Sequence, residues 1–219
     1  MKIQSLSLPV SPEFGDVSAE LITPDHPICV LTLAHGAGAG MHHDFMVTIA
    51  KALAEKDIAT LRFNFPFMEK QKRRVDSPAV AHKTIEAAIA RAHELFPSLP
   101  VFAAGKSFGG RMSSQYLASQ PAAEVKGLIL FGFPLHPPGK PSVERAEHLQ
   151  QVAVPMQFLQ GTRDELASFE LIETVCASLP LATLSTIEGA NHAFKAGKKD
   201  LMPVLTEATS AWIDRLLKA

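Results

Sequence analysis

Short apolar runs alternate along this chain with longer segments in which apolar residues recur every three or four positions. The runs are continuous and rich in β-branched residues, which is typical of strands buried on both faces of a sheet. They lie at residues 28–34, 58–63, 101–104, 125–131, 156–159 and 181–187. Helical stripes begin at Phe45, Val80 and Leu201. This alternation predicts an α/β fold with a mostly parallel, twisted sheet and helices on both faces.

The ends of the chain complete this picture. Residues 3–8 and 17–22 have no helix between them, so we expect an antiparallel pair at one edge of the sheet. Asp200 is placed to cap the last helix, and Pro203 fits its first turn. The proline-rich stretch 134–141 is too short for a linker and predicts a rigid loop. The length therefore favours one domain spanning residues 1–219.

Composition narrows the classes of partner. Of the 219 residues, 47% are apolar, and 21 basic against 22 acidic side chains leave a formal net charge of −1. Such a balance gives no electrostatic reason to expect nucleic acid or a membrane surface as partner. Cys29 and Cys176 are the only cysteines, too few for a disulfide framework. Pro9, Pro12 and Glu13 interrupt the apolar segment that a signal peptide needs, so we expect a cytoplasmic protein.

A serine follows the strand predicted at 101–104 in a distinctive context. Residues 105–110 read GKSFGG, and a helical pattern follows. This is the G-x-S-x-G nucleophile elbow in its required order of strand, sharp turn and helix. The turn strains the serine backbone so that the Ser107 hydroxyl projects above the sheet, and small flanking residues let strand and helix approach. The N–H of Phe108, at the helix start, is one expected oxyanion donor.

Two other interpretations of this segment compete with the elbow. A Gly-Ser-Gly sequence is also compatible with a simple tight turn. The letters GKS end like a phosphate-binding loop, but that motif needs a glycine where this chain has Pro100. Strand residues fill the interval, which leaves no loop to wrap phosphates. We therefore favour a nucleophile over a nucleotide site.

A second glycine-rich segment follows the strand predicted at 28–34. Residues 35–41 read HGAGAGM, and an amphipathic helix comes next. Enzymes with a nucleophile elbow take their second oxyanion donor from a His-Gly-rich loop at this place. The sequence predicts Ala37 as that donor, with Gly38 as the alternative and as a substrate contact. A flexible glycine loop without a catalytic part is the competing interpretation.

An acid and a base follow the last two predicted strands. Residues 160–165 read QGTRDE, and residues 188–194 read EGANHAF. The order of Ser107, Asp164 and His192 matches the serine–acid–histidine order of hydrolases with this elbow. A serine hydroxyl needs a base to remove its proton, histidine titrates near neutrality, and a carboxylate fixes the imidazole tautomer. Glu165 is the rival acid.

Three further histidines and an aspartate attract attention. His42, His43 and Asp44 are adjacent and therefore point in different directions, so no metal site is expected. Capping of the next helix is favoured, with His43 also lining the substrate pocket. His136, in the proline-rich loop, is a second candidate for the pocket, although a surface position is equally compatible with its sequence.

These segments together resemble the α/β-hydrolase superfamily. More narrowly, they resemble its small dienelactone-hydrolase-related branch, which includes testis-expressed protein thirty and subunit three of the NSL chromatin complex. The segments that carry the resemblance are residues 35–41, 61–66, 105–111, 161–164 and 189–192. The resemblance implies an α/β-hydrolase fold with Ser107, Asp164 and His192 as catalytic residues. Dienelactone hydrolases use cysteine as nucleophile, so the serine here argues against that activity.

The sequence thus predicts a carboxylesterase-like serine hydrolase for a small-molecule ester or thioester, working through an acyl-enzyme without a cofactor. The segment between the strands at 125–131 and 156–159 is too short for a large lid. Two alternatives stay open: a non-catalytic interaction module that keeps the fold, and a peptidase or acyltransferase with the same three residues. The oligomeric state is not determined by these patterns.

Overall fold

An eight-stranded sheet forms the centre of the molecule. The computed structural model describes residues 1–120 and 124–218. The strands are β1 (Lys2–Ser11), β2 (Gly15–Thr23), β3 (Cys29–Ala34), β4 (Ile58–Phe63), β5 (Val101–Lys106), β6 (Val125–Phe131), β7 (Met156–Gly161) and β8 (Ala182–Ile187). Their order across the sheet is β1-β2-β4-β3-β5-β6-β7-β8. β1 and β2 form the predicted antiparallel edge pair, and the strands from β4 to β8 run parallel.

Every predicted strand is present. The predicted bounds of β4 and β6 are correct at both ends. β5 and β7 each continue two residues beyond the predicted end, as far as Lys106 and Gly161, because these polar or small residues still pair with neighbouring strands. The continuous apolar runs are explained by burial on both faces: all six residues of β3 and all six of β4 are buried.

Helices cover both faces of the sheet. They are α1 (Asp44–Ala54), α2 (Pro66–Glu69), α3 (Pro78–Leu95), α4 (Phe108–Ser119), α5 (Phe169–Ser178) and α6 (Met202–Lys218), with a 3₁₀ helix at Glu144–Gln151. Alternate strand residues enter two separate cores: Val30 packs with α3, α4 and α5, whereas Leu31 packs with α1 and α6. This is the two-sided packing that the sequence predicts.

The ends of the helices show where local sequence decides structure. The predicted cap of α6 is correct, since Asp200 Oδ1 accepts a hydrogen bond from Met202 N at 2.9 Å.

The helix α5 is an element that sequence periodicity missed. Only Ile172 and Cys176 of this helix are buried, so its apolar stripe is too narrow to recognise.

The connection from β6 to β7 holds the proline-rich loop and the 3₁₀ helix. The 3₁₀ helix packs on α4 through its buried residues Ala146 and Leu149. The segment folds back on the protein, so no large lid covers the carboxyl edge of the sheet in the part of the chain that the structure describes. None of the helices in residues 1–120 and 124–218 combines the length and apolarity needed to cross a membrane.

Candidate active site

Ser107 lies between the end of β5 and the first turn of α4. Its backbone angles are φ 51° and ψ −114°, a conformation that non-glycine residues rarely adopt. The strand pairing of β5 runs up to Lys106, and the helix begins at Phe108, so the whole change of direction falls on this one residue. The strained turn that the G-x-S-x-G motif predicts is therefore present.

The glycines around Ser107 allow β5, α4 and β3 to approach each other. A Cβ added to Gly105 would lie 2.3 Å from Gly110 N. A Cβ added to Gly109 would lie 2.5 Å from the carbonyl oxygen of Ala34, at the end of β3. Both contacts are with backbone atoms that have no freedom to move aside. The motif glycines thus bring the serine turn against the start of the glycine-rich loop.

Two loops at the same edge of the sheet bring an imidazole and a carboxylate to Ser107. His192 Nε2 lies 2.8 Å from Ser107 Oγ. His192 Nδ1 lies 2.9 Å from Asp164 Oδ2 and 3.0 Å from Oδ1. Because a carboxylate only accepts, Nδ1 carries the proton, and Nε2 is left to accept from the serine hydroxyl. Residues 85 and 28 positions apart in sequence thus form one hydrogen-bonded chain.

The carboxylate of Asp164 is buried and held by two further donors. Gln160 Nε2 donates to Oδ2 at 2.6 Å, and Leu166 N donates to Oδ1 at 2.8 Å. Gln160 is itself fully buried, and its Oε1 accepts from Phe133 N at 2.9 Å. The rival acid Glu165 is exposed and accepts a hydrogen bond from the backbone N–H of His192, at 3.3 Å, rather than from its ring. Asp164 is therefore the carboxylate that faces the imidazole ring.

The glycine-rich loop is tied down at its start by His35. Its Nδ1–H donates to the Gly36 carbonyl at 2.7 Å, and its Nε2 accepts from Phe65 N at 3.0 Å. Burial lowers the pKa of His35 from 6.5 to about 4, so the ring stays neutral and both bonds persist near neutral pH. The imidazole thus links the ends of β3 and β4.

A second set of hydrogen bonds holds the far end of this loop. Asn64 Oδ1 accepts from Met41 N at 2.9 Å, and Asn64 Nδ2 donates to Glu69 Oε2 at 2.9 Å. The same carboxylate accepts from the N–H and hydroxyl of Ser18 in β2. Between these anchors, a Cβ added to Gly36 would lie 3.7 Å from Ser107 Cβ, so the loop backbone passes beside the serine.

A cavity of about 360 Å³ opens over the serine. Its lining residues are Gly36, Ala37, Gly38, Ala39, His43, Phe45, Met46, Lys106, Ser107, Leu166, His192 and Ala193. The lining thus combines the glycine-rich loop, the apolar residues Phe45, Met46 and Leu166, and the residues Ser107 and His192. The predicted Ala37, Gly38 and His43 are thus beside Ser107. The Phe108 ring is not part of this lining and packs against Phe65 and Phe67. The backbone N–H of Phe108 lies in the first turn of α4.

Comparison with known proteins identifies the family of this arrangement. A family model described as an alpha/beta hydrolase domain matches residues 27–216. The chain belongs to this α/β-hydrolase family. The matched residues include the strands from β3 to β8 and the side chains of Ser107, Asp164 and His192.

Several solved structures have a similar fold. An α/β serine hydrolase homologue from Coxiella burnetii is 24% identical, with a TM-score of 0.78 over 96% of this chain and 97% of that one. A dienelactone hydrolase from Anabaena variabilis is 17% identical, with a TM-score of 0.79 over 98% and 97%. An α/β serine hydrolase without a lid from Xanthomonas campestris is 22% identical, with a TM-score of 0.75 over 98% and 95%. These likenesses show the fold.

The name of one curated relative refers to a different activity. The Mycobacterium tuberculosis (strain H37Rv) protein named "Putative phosphoribosyl transferase" is 26% identical over 185 residues, which cover 82% of this chain. This chain spans about 40% of that relative's length.

The prediction that His136 lines the substrate pocket is wrong. Its side chain is only 4% exposed, and His136 is not among the residues that line the cavity. Nδ1–H donates to the Pro137 carbonyl at 2.9 Å, and Nε2 accepts from Ser168 N at 2.8 Å. The imidazole therefore fixes the proline-rich loop to the start of α5. His43, by contrast, lines the cavity and also caps α1, because its Nδ1 accepts from Phe45 N at 3.2 Å.

The described part of the chain contains a second serine–histidine pair, Ser114 and His148. Ser114 Oγ lies 2.7 Å from His148 Nε2, but the hydroxyl donates to the Arg111 carbonyl at 2.9 Å. The imidazole therefore donates to Ser114 and is not placed to take its proton. Burial lowers the pKa of His148 to about 4, and Ser114 is fully buried in α4. This pair ties α4 to the 3₁₀ helix.

Sequence reasoning missed two residues of the site, Gln160 and Lys106. Gln160 lies inside a strand whose residues are buried on both faces, where a polar residue carries no recognisable motif. Lys106 occupies the variable position before the serine in G-x-S-x-G, and its amine donates to the His192 carbonyl at 2.7 Å. A lysine at the end of an otherwise buried strand was the one signal available.

Proposed function

We propose that this protein is a serine hydrolase that cleaves a small ester or thioester through a covalent acyl-enzyme. Ser107 is the nucleophile, His192 the general base and acid, and Asp164 the residue that orients the imidazole. One observation carries the proposal: an unbroken hydrogen-bonded chain runs from the serine hydroxyl through the imidazole to a buried carboxylate.

The reaction follows from these contacts. Ser107 Oγ attacks the acyl carbon while His192 Nε2 takes the hydroxyl proton. The imidazolium then gives this proton to the departing alcohol or thiol, and the acyl group stays on Oγ. A water molecule repeats the attack with His192 as base and releases the carboxylic acid. Asp164 keeps the proton on Nδ1 and stabilises the positive charge of the imidazolium.

The charge that develops on the acyl oxygen needs donors that are already in place. Phe108 begins α4, so its N–H lies at the positive end of the helix dipole and has no acceptor within the helix. The amide of Ala37, or that of Gly38, supplies the second donor from the loop held by His35 and Asn64. Loss of one such donor typically lowers the rate by about 100- to 1,000-fold.

The cavity limits the substrates that fit. A volume of about 360 Å³ is at the small end for ligand pockets. Phe45, Met46 and Leu166 give it an apolar wall, which suits a short aliphatic or aromatic acyl group. The proposal of a carboxylesterase-like activity, and of membership in the narrower branch related to dienelactone hydrolase, rests on this site and on the motifs around it.

Labelling with a fluorophosphonate probe tests the proposal, because the probe reacts with serines that a neighbouring base activates. We expect one equivalent of label on Ser107 in the wild type and none in Ser107→Ala. Ser114→Ala is the matched control, since Ser114 also contacts a histidine but is buried. It should label like the wild type. A folded wild-type protein that stays unlabelled would contradict the proposal.

A series of activated esters with lengthening acyl chains then distinguishes the alternatives. An esterase should turn over the short-chain members, and Ser107→Ala should not. A peptidase or acyltransferase would form the same acyl-enzyme but prefer an amide substrate or a non-water acceptor. Phosphoribosyl transfer is not proposed, because the mycobacterial relative with that name is matched over only 40% of its length.

A further inference from the structure

Lys106 is held at a specific place beside the base. Its amine is shielded from solvent and donates to the carbonyl oxygen of His192 at 2.7 Å. The same nitrogen lies 5.1 Å from the centre of the Phe194 ring and 6.0 Å from that of Phe45. These two rings stack on each other with centroids 5.7 Å apart. A carbonyl and two aromatic faces therefore surround the ammonium group.

The turn after β6 makes room for this arrangement. Gly132 has φ 66°, and a Cβ there would lie 3.0 Å from Lys106 Nζ. The same point is 3.5 Å from Asp164 Oδ2 and 3.6 Å from His192 Cε1. The ammonium, the carboxylate and the imidazole thus surround one small space that only glycine leaves open.

We propose that Lys106 is a positioning residue whose charged amine fastens the His192 loop to the strand that carries Ser107, and so holds the imidazole at the serine hydroxyl. The inference rests on the proposed function and deepens it. Lys106 ends β5 and directly precedes Ser107, so a bond from its amine to the His192 backbone joins the two catalytic groups across 86 residues of sequence.

Other hydrogen bonds hold this loop to the loop after β7. Arg163 N donates to the Ala190 carbonyl at 2.9 Å, Gly189 N donates to Thr162 Oγ1 at 2.8 Å, and His192 N reaches Glu165 at 3.3 Å. The Lys106 bond is shorter and comes from the central sheet. Simple packing does not explain a lysine here, since a buried ammonium is unfavourable and an apolar side chain would fill the same space.

The charge of Lys106 is sensitive to pH. Burial lowers the pKa of its amine from 10.5 to about 8, against the opposing effect of the carboxylates of Asp164 and Glu165. The imidazoles of His192 and His43 line the same cavity. Above pH 8 the amine loses its attraction to both carboxylates and to the aromatic rings, but the cost of burying its charge is lost as well. The neutral amine still donates to the His192 carbonyl, so this bond, called the tether below, should persist above pH 8.

The test compares Lys106→Met, Lys106→Arg and the wild type. Lys198→Met is the control, because Lys198 is an exposed lysine of the same loop region. One readout is the rate constant of fluorophosphonate labelling between pH 6 and 10. The other is backbone amide hydrogen exchange of residues 189–195, corrected for the intrinsic effect of pH.

Lys106→Met should label about tenfold more slowly or worse, because small misplacements of catalytic groups cost large factors in rate. Its loop should exchange faster, while Lys198→Met should match the wild type in both readouts. The wild-type loop should exchange no faster above pH 8, because a pKa lowered by burial means that loss of the proton favours the closed loop. Lys106→Arg, whose guanidinium also donates and keeps its charge, should restore part of the rate that Lys106→Met loses.

The two readouts separate this inference from the proposed function. A wild type that labels on Ser107, with unchanged rate and loop exchange in Lys106→Met, would overturn the tether and leave the hydrolase intact. A wild type that does not label, with faster loop exchange in Lys106→Met, would support the tether and reject the hydrolase. If Lys106→Met does not fold, Lys106→Gln takes its place, and an unchanged labelling rate and loop exchange in that shorter variant would overturn the tether.

Discussion

At the scale of single residues, the site depends on polar side chains that are buried behind the reacting groups. Gln160 shows this dependence most directly. Its amide spans Asp164 on one side and Phe133 N on the other, and it is fully buried. A side chain of this kind keeps a carboxylate aimed at an imidazole without touching the substrate.

Gln160→Met should impair turnover and stability together. The change leaves Phe133 N without its acceptor and removes a donor from Asp164, which together should lower the free energy of unfolding by about 2–3 kcal/mol. Denaturant titration and ester turnover measure the two effects. Gln157→Met is the control, since Gln157 is buried on the same strand but bonds to Ser185 and Ala208, away from the serine. Equal loss of turnover in both variants would argue against a positioning role.

Replacement of Lys106 should have the opposite effect and raise the free energy of unfolding. A pKa lowered from 10.5 to about 8 means that the native protein binds this proton less readily than the unfolded chain. The charged amine then disfavours folding by about 3 kcal/mol below pH 8, and this cost disappears as pH rises from 8 to 10.5. Lys106→Met should therefore raise the free energy of unfolding at pH 7 by about 1–2 kcal/mol, because the lost hydrogen bond offsets part of the gain.

Guanidinium titrations at pH 7 and pH 10 check this expectation. The difference between Lys106→Met and the wild type should be largest at pH 7 and shrink at pH 10. Lys198→Met should follow the wild type at both values. A destabilised Lys106→Met at pH 7 would show that the amine contributes more through its contacts than its burial costs.

At the scale of elements, the loop between β3 and α1 is organised by neutral His35. The folded-state pKa of about 4 lies below the 6.5 of an unfolded chain, so the stability from this group is present above pH 6.5. It is lost as pH falls toward 4, by up to about 3 kcal/mol. Protonation of Nε2 would also break the bond to Phe65 N and release the loop that carries Ala37.

The free energy of unfolding measured from pH 7 to pH 4 tests this expectation. His35→Gln should be less stable than the wild type at pH 7 but should lose less stability as the pH falls. His26→Gln, at an exposed histidine, should keep the wild-type slope. Parallel slopes for all three proteins would exclude His35 as the source of acid sensitivity.

At the scale of the whole molecule, the sequence was most informative where an element repeats a simple pattern. The buried strands, the antiparallel edge pair and the two helical layers follow from the periods of apolar residues. Ser107, Asp164 and His192 could be placed together because the carboxyl ends of parallel strands share one edge.

The remaining parts of the site depend on side-chain direction, which periodicity does not contain. His136 lies on a loop at the correct edge of the sheet, yet its ring turns toward α5 to satisfy Ser168 N. Lys106 and Gln160 belong to strands, and their roles appear only when the neighbouring strand is in place. Long-range pairing decides these orientations, so a single sequence leaves them open.

The position of β8 at the open edge of the sheet has a practical consequence. Only one of its six residues is buried, and the adjoining α5 contributes two buried residues, so this side should open at a lower free energy than the central strands. The loop after β8 carries His192, whereas Ser107 follows a central strand. Mild denaturant should therefore silence ester turnover while far-ultraviolet circular dichroism still reports a folded chain, and dilution should restore it. The protein would then have a reversible inactive state, which local unfolding at the β8 edge produces.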